Sequence, residues 1–270
     1  MAKKTAIDIV NMKQKGEIIT MLTAYDFVMA SILDEAGTDM LLVGDTMGMV
    51  VYGNPTTLSV TLEDSIRHTQ AVARGAKSAM IIGDMPFGTF QVSKEEAVRN
   101  AIKLVKVGNA EAIKLEGGSE FLGVVEGILD AGIPVMGHLG LTPQSYHKFG
   151  GFKVQGKTDE EAKIMIEESK ALEEAGIFSL VLEAIPWEVA KEITEAISVP
   201  TIGIGAGPYC DGQVLVTYDM LGYFDFKAKF VKRYVNVKEQ ILTAVKEYNK
   251  EVRNKVFPDL SYSYKKPQQM

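Results

Sequence analysis

Short apolar segments alternate with longer segments of helical periodicity along almost the whole chain. Apolar segments without polar alternation are typical of parallel strands that are covered on both faces. The predicted strands are 18–23, 40–44, 79–83, 112–115, 134–137, 179–182, 200–204 and 214–216. Eight strand–helix repeats within 270 residues predict the α/β class and a (β/α)8 TIM barrel that forms one domain over 1–270.

The segments between these strands carry the signals of helix ends. Thr61, Ser93 and Thr158 each precede acidic residues in the first turn of a predicted helix. A hydroxyl at that position accepts a backbone hydrogen bond, and acidic residues favour the positive end of the helix dipole. Glycine follows alanine where several helices should stop, for example at Gly176, because glycine readily adopts the left-handed conformation of a C-cap.

The rival fold is a doubly wound open sheet, and the two ends of the chain carry separate predictions. An open sheet of that type normally has a glycine-rich turn after its first strand, and the residues after Thr23 lack one. Residues 6–15 are predicted as an N-terminal helix that caps one end of the barrel. Residues 261–270 are polar and are predicted to form a loose tail.

The charge and cysteine content exclude several classes of function. Lys and Arg number 29 against 35 Asp and Glu, and the net charge is −6. An acidic chain without a basic run is poorly suited to binding nucleic acid or an anionic membrane. A single cysteine, Cys210, excludes an internal disulfide framework. The basic start lacks an apolar segment like that of a signal peptide, so the expected location is the cytoplasm.

Titratable and polar side chains stand where the predicted strands end. In a barrel of this type the chemistry lies at the C-terminal ends of the strands. A lone acid at a strand end is often a helix cap or a loop ion pair, but several on consecutive strands suggest a shared site. The candidates are Asp45, Thr46, Asp84, Lys114, Glu116, His138 and Glu183.

Converging carboxylates favour a bound cation. Each close pair would repel by roughly 4 kcal/mol near a protein surface unless a positive charge lay between them. Oxygen ligands without a Cys or His cluster select a hard ion, and Mg²⁺ is the predicted cofactor. Asp45 and Asp84 are the predicted direct ligands, and Glu116 would bind directly or through water. A chelating 2-oxo acid would suit the remaining coordination positions.

The remaining candidates have different chemical roles. Glu183, at the end of an apolar run, is the predicted base that removes a proton next to the ketone. Lys114 could neutralise the substrate carboxylate, which is the favoured interpretation, form a Schiff base, or only balance Glu116. His138 could contact the substrate or have a structural role. The loop 142–156 contains glycines and aromatic residues, as a lid over the barrel mouth would.

Several sequence blocks resemble the ketopantoate hydroxymethyltransferase family over nearly the whole chain. The blocks are GDTMGMVVYG at 44–53, IIGDMPFGTF at 81–90, AIKLEGG at 112–118, VMGHLGLTPQS at 135–145, LVLEAIP at 180–186 and TIGIGAGPYCDGQVLV at 201–216. The resemblance implies a Mg²⁺-dependent barrel that transfers a hydroxymethyl group from 5,10-methylenetetrahydrofolate to 3-methyl-2-oxobutanoate. That reaction gives 2-dehydropantoate in pantothenate synthesis. It also implies a large homo-oligomer, typically a decamer.

The resemblance also implies roles for individual residues. Asp45 and Asp84, with Glu116 beside them, match the metal ligands of the family, and Glu183 matches the proton acceptor. Position 46 is usually serine in the family and is threonine here, which keeps the hydroxyl and adds a methyl group to the pocket. The positions that match those holding the oxo acid are Asp45, Thr46, Asp84 and Lys114.

Two rival functions remain open at this stage. The first is another metal-dependent barrel lyase that acts on 2-oxo acids, in the isocitrate lyase and phosphoenolpyruvate mutase group, which would need no folate. The second is a non-catalytic barrel that binds a metabolite or serves as an assembly scaffold. A lyase of this group or a member of the resembled family would exchange a proton of an oxo acid in a metal-dependent way, whereas a non-catalytic barrel would not.

Overall fold

Eight parallel strands form a closed barrel in which each strand pairs with its neighbours in sequence and β8 pairs with β1. The structure is a computed structural model and describes residues 2–225 and 227–266. The strands are β1 Ile19–Thr23, β2 Met40–Val43, β3 Met80–Asp84, β4 Ala112–Lys114, β5 Val135–Gly140, β6 Ser179–Glu183, β7 Thr201–Ile204 and β8 Gly212–Leu215. The predicted (β/α)8 class is confirmed.

Helices follow most of the strands and lie outside the barrel wall. Thr61 and Thr158 both form reciprocal capping boxes, and Ser93 accepts a hydrogen bond from the backbone N–H of Glu96, as predicted. Gly176 adopts φ +102° at the end of its helix. The helices are α1 Ala6–Gln14, α2 Phe27–Glu35, α3 Met47–Val50, α4 Leu62–Gly75, α5 Lys94–Lys106, α6 Leu122–Asp130, α7 Tyr146–Phe149, α8 Asp159–Ala175, α9 Trp187–Ala196, α10 Thr217–Met220 and α11 Val237–Arg253.

Two apolar clusters hold the barrel together. One fills its interior and combines methionines such as Met21, Met40 and Met80 with branched side chains, and the other lies between the strands and the helices. Each fully buried side chain of this size contributes roughly 1.5–3 kcal/mol to folding. The interior is therefore packed with side chains, and only its C-terminal mouth is left for a site.

The N-terminal helix α1 closes the opposite end of the barrel, as predicted. Ile9 and Met12 are buried in the interior cluster. Lys13 Nζ donates to the carbonyl groups of residues 194, 197 and 199 at 3.0–3.1 Å and pairs with Asp211 at 3.0 Å. These contacts lie before the starts of β7 and β8, at the N-terminal end of the barrel.

The observed strand ends differ from the predicted ones by more than one residue in two places. β5 extends to Gly140 rather than to residue 137, and β8 begins at Gly212 rather than at residue 214. The connection from β7 to β8, residues 205–211, is a short turn without a helix, so the strand–helix alternation fails there. Gly205 and Gly207 adopt positive φ angles of 64° and 80°, which lets the chain reverse over this short distance.

The chain divides into two compact units, Met1–Thr217 and Tyr218–Met270. The first contains the barrel, and the second contains α11, none of whose side chains is buried. Leu260–Tyr262 form a 3₁₀ turn at the start of the predicted tail, and residues 267–270 of that tail lie outside the described residues. The single-domain organisation over 1–270 stays a prediction. Within the described residues, every helix is too short or too polar to span a membrane.

Candidate active site

The C-terminal mouth of the barrel holds a pocket of about 70 Å³ that is lined by every candidate residue named from the sequence. Asp84, Lys114 and Glu183 are the last residues of their strands, whereas Asp45 and Glu116 lie two residues beyond theirs. Parallel strands of similar length bring these positions to one rim. The pocket is lined by Asp45, Thr46, Asp84, Lys114, Glu116, His138 and Glu183, with apolar residues around them.

Lys114 is the charged centre of the pocket. Its Nζ atom lies 2.8 Å from Asp84 Oδ1 and 3.7 Å from Glu116 Oε1, and all three side chains are buried. Burial alone would lower the pKa of the lysine, but Asp84 and Glu116 outweigh burial and raise it. The amine therefore stays protonated, which supports binding of an anionic substrate group and opposes the Schiff-base interpretation.

Asp45 and Asp84 lie next to each other, and both are buried. The backbone N–H of Asp45 donates to Asp84 Oδ2 at 3.2 Å. Burial raises the pKa of both carboxyls. The charges of Asp84 and Glu116 raise the pKa of Asp45 further, and at Asp84 the nearby Lys114 offsets only part of the rise. Asp84 Oδ1 makes its ion pair with Lys114 but no directed hydrogen bond. These carboxylates would be stabilised by a further positive charge.

The donor set suits a hard cation, although the ligands do not stand in a ready coordination shell. Among residues 2–225 and 227–266, no group of three or more His, Cys, Asp or Glu side chains is close enough to hold an ion. The carboxylate oxygens of Asp45, Asp84 and Glu116 are nevertheless of the type that Mg²⁺ prefers, and Asp84 Oδ1 has a free acceptor position. The metal site stays a prediction.

His138 links the charged centre to the predicted base. Its Nδ1 lies 3.6 Å from Glu116 Oε1, and its Nε2 lies 3.3 Å from Glu183 Oε2. Burial and Lys114 lower the pKa of His138, but the contacts with Glu116 and Glu183 outweigh them and raise it to about 9. The imidazole is therefore protonated at neutral pH and can orient both carboxylates.

Glu183 is the most accessible of the acids in the pocket. Its side chain is 19% exposed, whereas that of Glu116 is 4% exposed, so the apolar surrounding expected from the sequence is only partly present. Two backbone features fix its position: Ala184 adopts φ 47°, and Gly140 on β5 adopts φ 93°. A Cβ atom at Gly140 would lie 2.3 Å from the carbonyl oxygen of Glu183, so only glycine lets the two strand ends approach.

Two residues that the sequence did not single out complete the pocket. The backbone N–H of Gln144 donates to Glu116 Oε2 at 3.0 Å, and its amide donates to Asp45 Oδ2 at 3.0 Å. Tyr25 is buried and its hydroxyl lies 2.7 Å from Thr46 Oγ1. Their only sequence signal is that each follows a strand end, as many structural residues also do.

Comparison with known proteins identifies the family. Residues 3–260 match the family model described as ketopantoate hydroxymethyltransferase. The chain belongs to the ketopantoate hydroxymethyltransferase family. A relative from Ignicoccus hospitalis named 3-methyl-2-oxobutanoate hydroxymethyltransferase is 56% identical over 97% of this chain and 99% of its own length. A relative of the same name from Clostridium kluyveri is 56% identical over 98% of this chain and 95% of its own length. The prediction that the chain is an enzyme of this family is confirmed.

Solved structures with little sequence identity share the fold with this member of the ketopantoate hydroxymethyltransferase family. A phosphonopyruvate hydrolase superposes with a TM-score of 0.63 and 13% identity over 98% of this chain and 92% of its own. A 2,3-dimethylmalate lyase, described as a PEP mutase/isocitrate lyase superfamily member, superposes with a TM-score of 0.61 and 16% identity over 96% of this chain and 91% of its own. Proteins of the rival lyase group thus share the fold of this chain. Sequence similarity, however, assigns the chain to the ketopantoate hydroxymethyltransferase family.

Proposed function

We propose that the chain transfers a hydroxymethyl group from 5,10-methylenetetrahydrofolate to 3-methyl-2-oxobutanoate and forms 2-dehydropantoate. Relatives that carry the matching enzyme name at 54–56% identity support the reaction. The observation that carries the proposal is the pairing, within one pocket, of a protonated Lys114 with an accessible Glu183. Such a pocket can bind a carboxylate at one end and remove a proton at the other.

We further propose that Asp45 and Asp84, with Glu116, hold Mg²⁺. A phosphonopyruvate hydrolase of the same fold was solved in complex with oxalate and Mg²⁺, which is consistent with this choice of ion. When bound, the ion would supply Lewis-acid chemistry that withdraws electrons from the ketone of the oxo acid. Burial and the neighbouring acids keep the pKa values of Asp45 and Asp84 raised although Lys114 lowers both, so a further positive charge would stabilise these carboxylates, which supports the assignment.

The chain's own residues account for the proton and binding steps of this proposal. The Lys114 ammonium and the Thr46 hydroxyl bind the carboxylate end of the substrate. Glu183 accepts the proton from C3, and protonated His138, 3.3 Å away, keeps the Glu183 carboxylate aimed at that carbon. The C3 carbanion then forms a bond to the one-carbon unit. This unit is either formaldehyde, which water has released from the folate, or an iminium still bound to the folate, in which case water replaces the folate amine after the new bond has formed. The balanced reaction consumes one water and releases tetrahydrofolate.

Exchange of the C3 proton into D₂O tests the proposal, because it requires the oxo acid and the base but no folate. The wild-type protein should exchange the C3 proton of 3-methyl-2-oxobutanoate, and EDTA should stop the exchange. Glu183→Gln should slow exchange by at least ~10²-fold while oxo acid binding persists. Glu188→Gln, an exposed change five positions along, is the matched control. Exchange at the wild-type rate in Glu183→Gln would show that another group is the base.

Product analysis with and without methylenetetrahydrofolate separates the rival lyase, and the exchange assay separates the non-catalytic rival. A lyase of the isocitrate lyase and phosphoenolpyruvate mutase group would cleave or rearrange a 2-oxo acid without methylenetetrahydrofolate, so products formed in its absence would favour that rival. A binding protein or scaffold would not catalyse exchange of the C3 proton of any oxo acid, and Asp84→Ala would leave its function unchanged.

We also infer, from the family resemblance, that the chain works as a homo-oligomer, with a decamer as the expected assembly; the cytoplasmic location stays a prediction. Light scattering on the purified protein measures the mass of the particle in solution. A monomer at micromolar concentration would contradict this inference and leave the proposed reaction untouched.

A further inference from the structure

A second cavity, of about 400 Å³, lies beside the catalytic pocket. Its walls come from the loops that follow β3, β4 and β5 and from the first half of α8, and it shares Glu116 with the catalytic pocket. The catalytic pocket itself, at about 70 Å³, has room for a small oxo acid but for little more. Pockets for larger organic ligands usually measure about 300–1,000 Å³, which is the size of this second cavity.

The walls of the cavity are unusually aromatic. Phe87, Phe90, Phe121 and Phe149 all line it, and the rings of Phe90 and Phe121 pack edge to face with centroids 5.1 Å apart. Phe87 is 49% exposed although it lies at the cavity wall. Phenylalanine rings in such an arrangement favour a flat ligand that can stack on one ring and meet the edge of another.

Charge restricts the ligand further. Glu120, Glu161 and Glu168 line the cavity against a single cation, Lys148. Glu168 is half-buried, and both burial and the charge of Glu120 raise its pKa. Gly118 lets the Glu168 carboxylate approach the loop after β4, since a Cβ atom at Gly118 would lie 2.5 Å from it. This excess of negative charge disfavours an anionic group and favours a flat ring that presents N–H donors.

We propose that this cavity binds the pterin ring of the one-carbon donor, with the Glu168 carboxylate accepting hydrogen bonds from the ring's 2-amino group and adjacent N–H. The inference rests on the proposed function, which requires a folate next to the oxo acid. The shared wall consists of Glu116, which lines both cavities, and of Gln144, which lines the larger one and donates to Glu116 and Asp45; it brings the two ligands together. The flat ring meets the phenylalanines, its donor edge meets Glu168, and its reactive side faces the oxo acid across the shared wall.

The substitution Glu168→Gln tests this assignment, because the amide keeps the shape of the side chain and loses the second acceptor oxygen. We expect the KM for methylenetetrahydrofolate to rise roughly tenfold while the KM for the oxo acid changes little. At limiting folate, product formation should therefore fall relative to C3 proton exchange. Glu167→Gln, on the same helix but outside the cavity, is the matched control and should leave both KM values unchanged.

Direct binding gives a second and independent measurement. Calorimetry with 5-formyltetrahydrofolate, a stable folate, should show a weaker Kd in Glu168→Gln and also in Phe149→Ala, which removes one ring of the wall without entering the catalytic pocket. If the wild-type protein makes product and both variants bind the folate as tightly as the wild type, the cavity assignment is wrong and the proposed function stands. If the wild type exchanges the C3 proton but makes no product with any folate, the proposed donor is wrong and this inference falls with it.

Discussion

The substitution Lys114→Met provides the most direct test of the electrostatics of the pocket. Methionine matches the length and apolar stem of lysine but removes the charge. The Nζ atom lies 2.8 Å from Asp84 and 3.7 Å from Glu116. At an effective dielectric constant of about 20, the Coulomb attraction is about 6 kcal/mol for the first pair and about 4.5 kcal/mol for the second. Desolvation of the buried ammonium cancels much of this gain.

The remaining penalty comes from two buried carboxylates: the substitution leaves Asp84 without its cation and Glu116 with His138 alone. Removing one partner of a buried ion pair typically costs about 3–5 kcal/mol, and we expect a loss of that size in the free energy of unfolding at neutral pH. Urea denaturation in the presence of EDTA, followed by circular dichroism, measures it without interference from bound divalent ions. The control Lys170→Met removes an exposed lysine that pairs with Glu167 at 3.0 Å and should cost at most about 0.5 kcal/mol.

The pH dependence distinguishes this explanation from a packing defect. In the wild type, burial raises the pKa of Glu116, but Lys114 and His138 outweigh burial and lower it below the ordinary value of 4.5. The ionised Glu116 therefore contributes to the free energy of unfolding above pH 4.5, and this contribution is lost as pH falls through the lowered pKa. Without Lys114, burial should raise the pKa instead, and the variant regains stability as the carboxyl is protonated. The deficit should therefore shrink between about pH 7.5 and about pH 5. A constant deficit over that range, or one below about 1 kcal/mol at neutral pH, would refute the reasoning.

Three further substitutions test other contacts. Gln144→Leu removes the amide that donates to Asp45 Oδ2, and we expect kcat/KM to fall about 10–100-fold without loss of the circular dichroism spectrum. Asp34→Asn should lower the free energy of unfolding by about 1–3 kcal/mol at neutral pH, because the carboxylate accepts the N–H groups of residues 77–79. Burial raises the pKa of Asp34, but these hydrogen bonds outweigh burial and lower it. The difference in stability between variant and wild type should therefore disappear as pH falls below 3.8, which an acid titration of stability measures. Gly140→Ala should lower both Tm and activity, because the residue has φ 93° and its new Cβ atom would press on the backbone of β6.

The sequence predicted the barrel well because its signals are local. Thr61 and Thr158 are followed at the third position by an acidic residue, and the reciprocal hydrogen bonds of a capping box form wherever that spacing meets a helix start. The failures also have physical reasons. The connection from β7 to β8 contains glycines that the sequence shows, but their positive φ angles permit either a helix cap or a direct reversal, and only the packing of β8 against β1 decides between them.

The charged residues of the pocket could be foreseen, whereas the residues that position them could not. A carboxylate at a strand end is conspicuous because burying it is costly, so its presence already suggests a compensating partner. Gln144 costs little to bury once its amide is hydrogen-bonded, and its importance lies in joining Asp45 to Glu116 across 99 and 28 positions of sequence. Glu168 is hidden for a different reason: on a helix it resembles its exposed neighbour Glu167, and only the tertiary position of α8 turns one of the two toward the aromatic cavity. The charged residues of such a site can thus be predicted from the sequence, whereas the residues that position them can be recognised only from the folded structure.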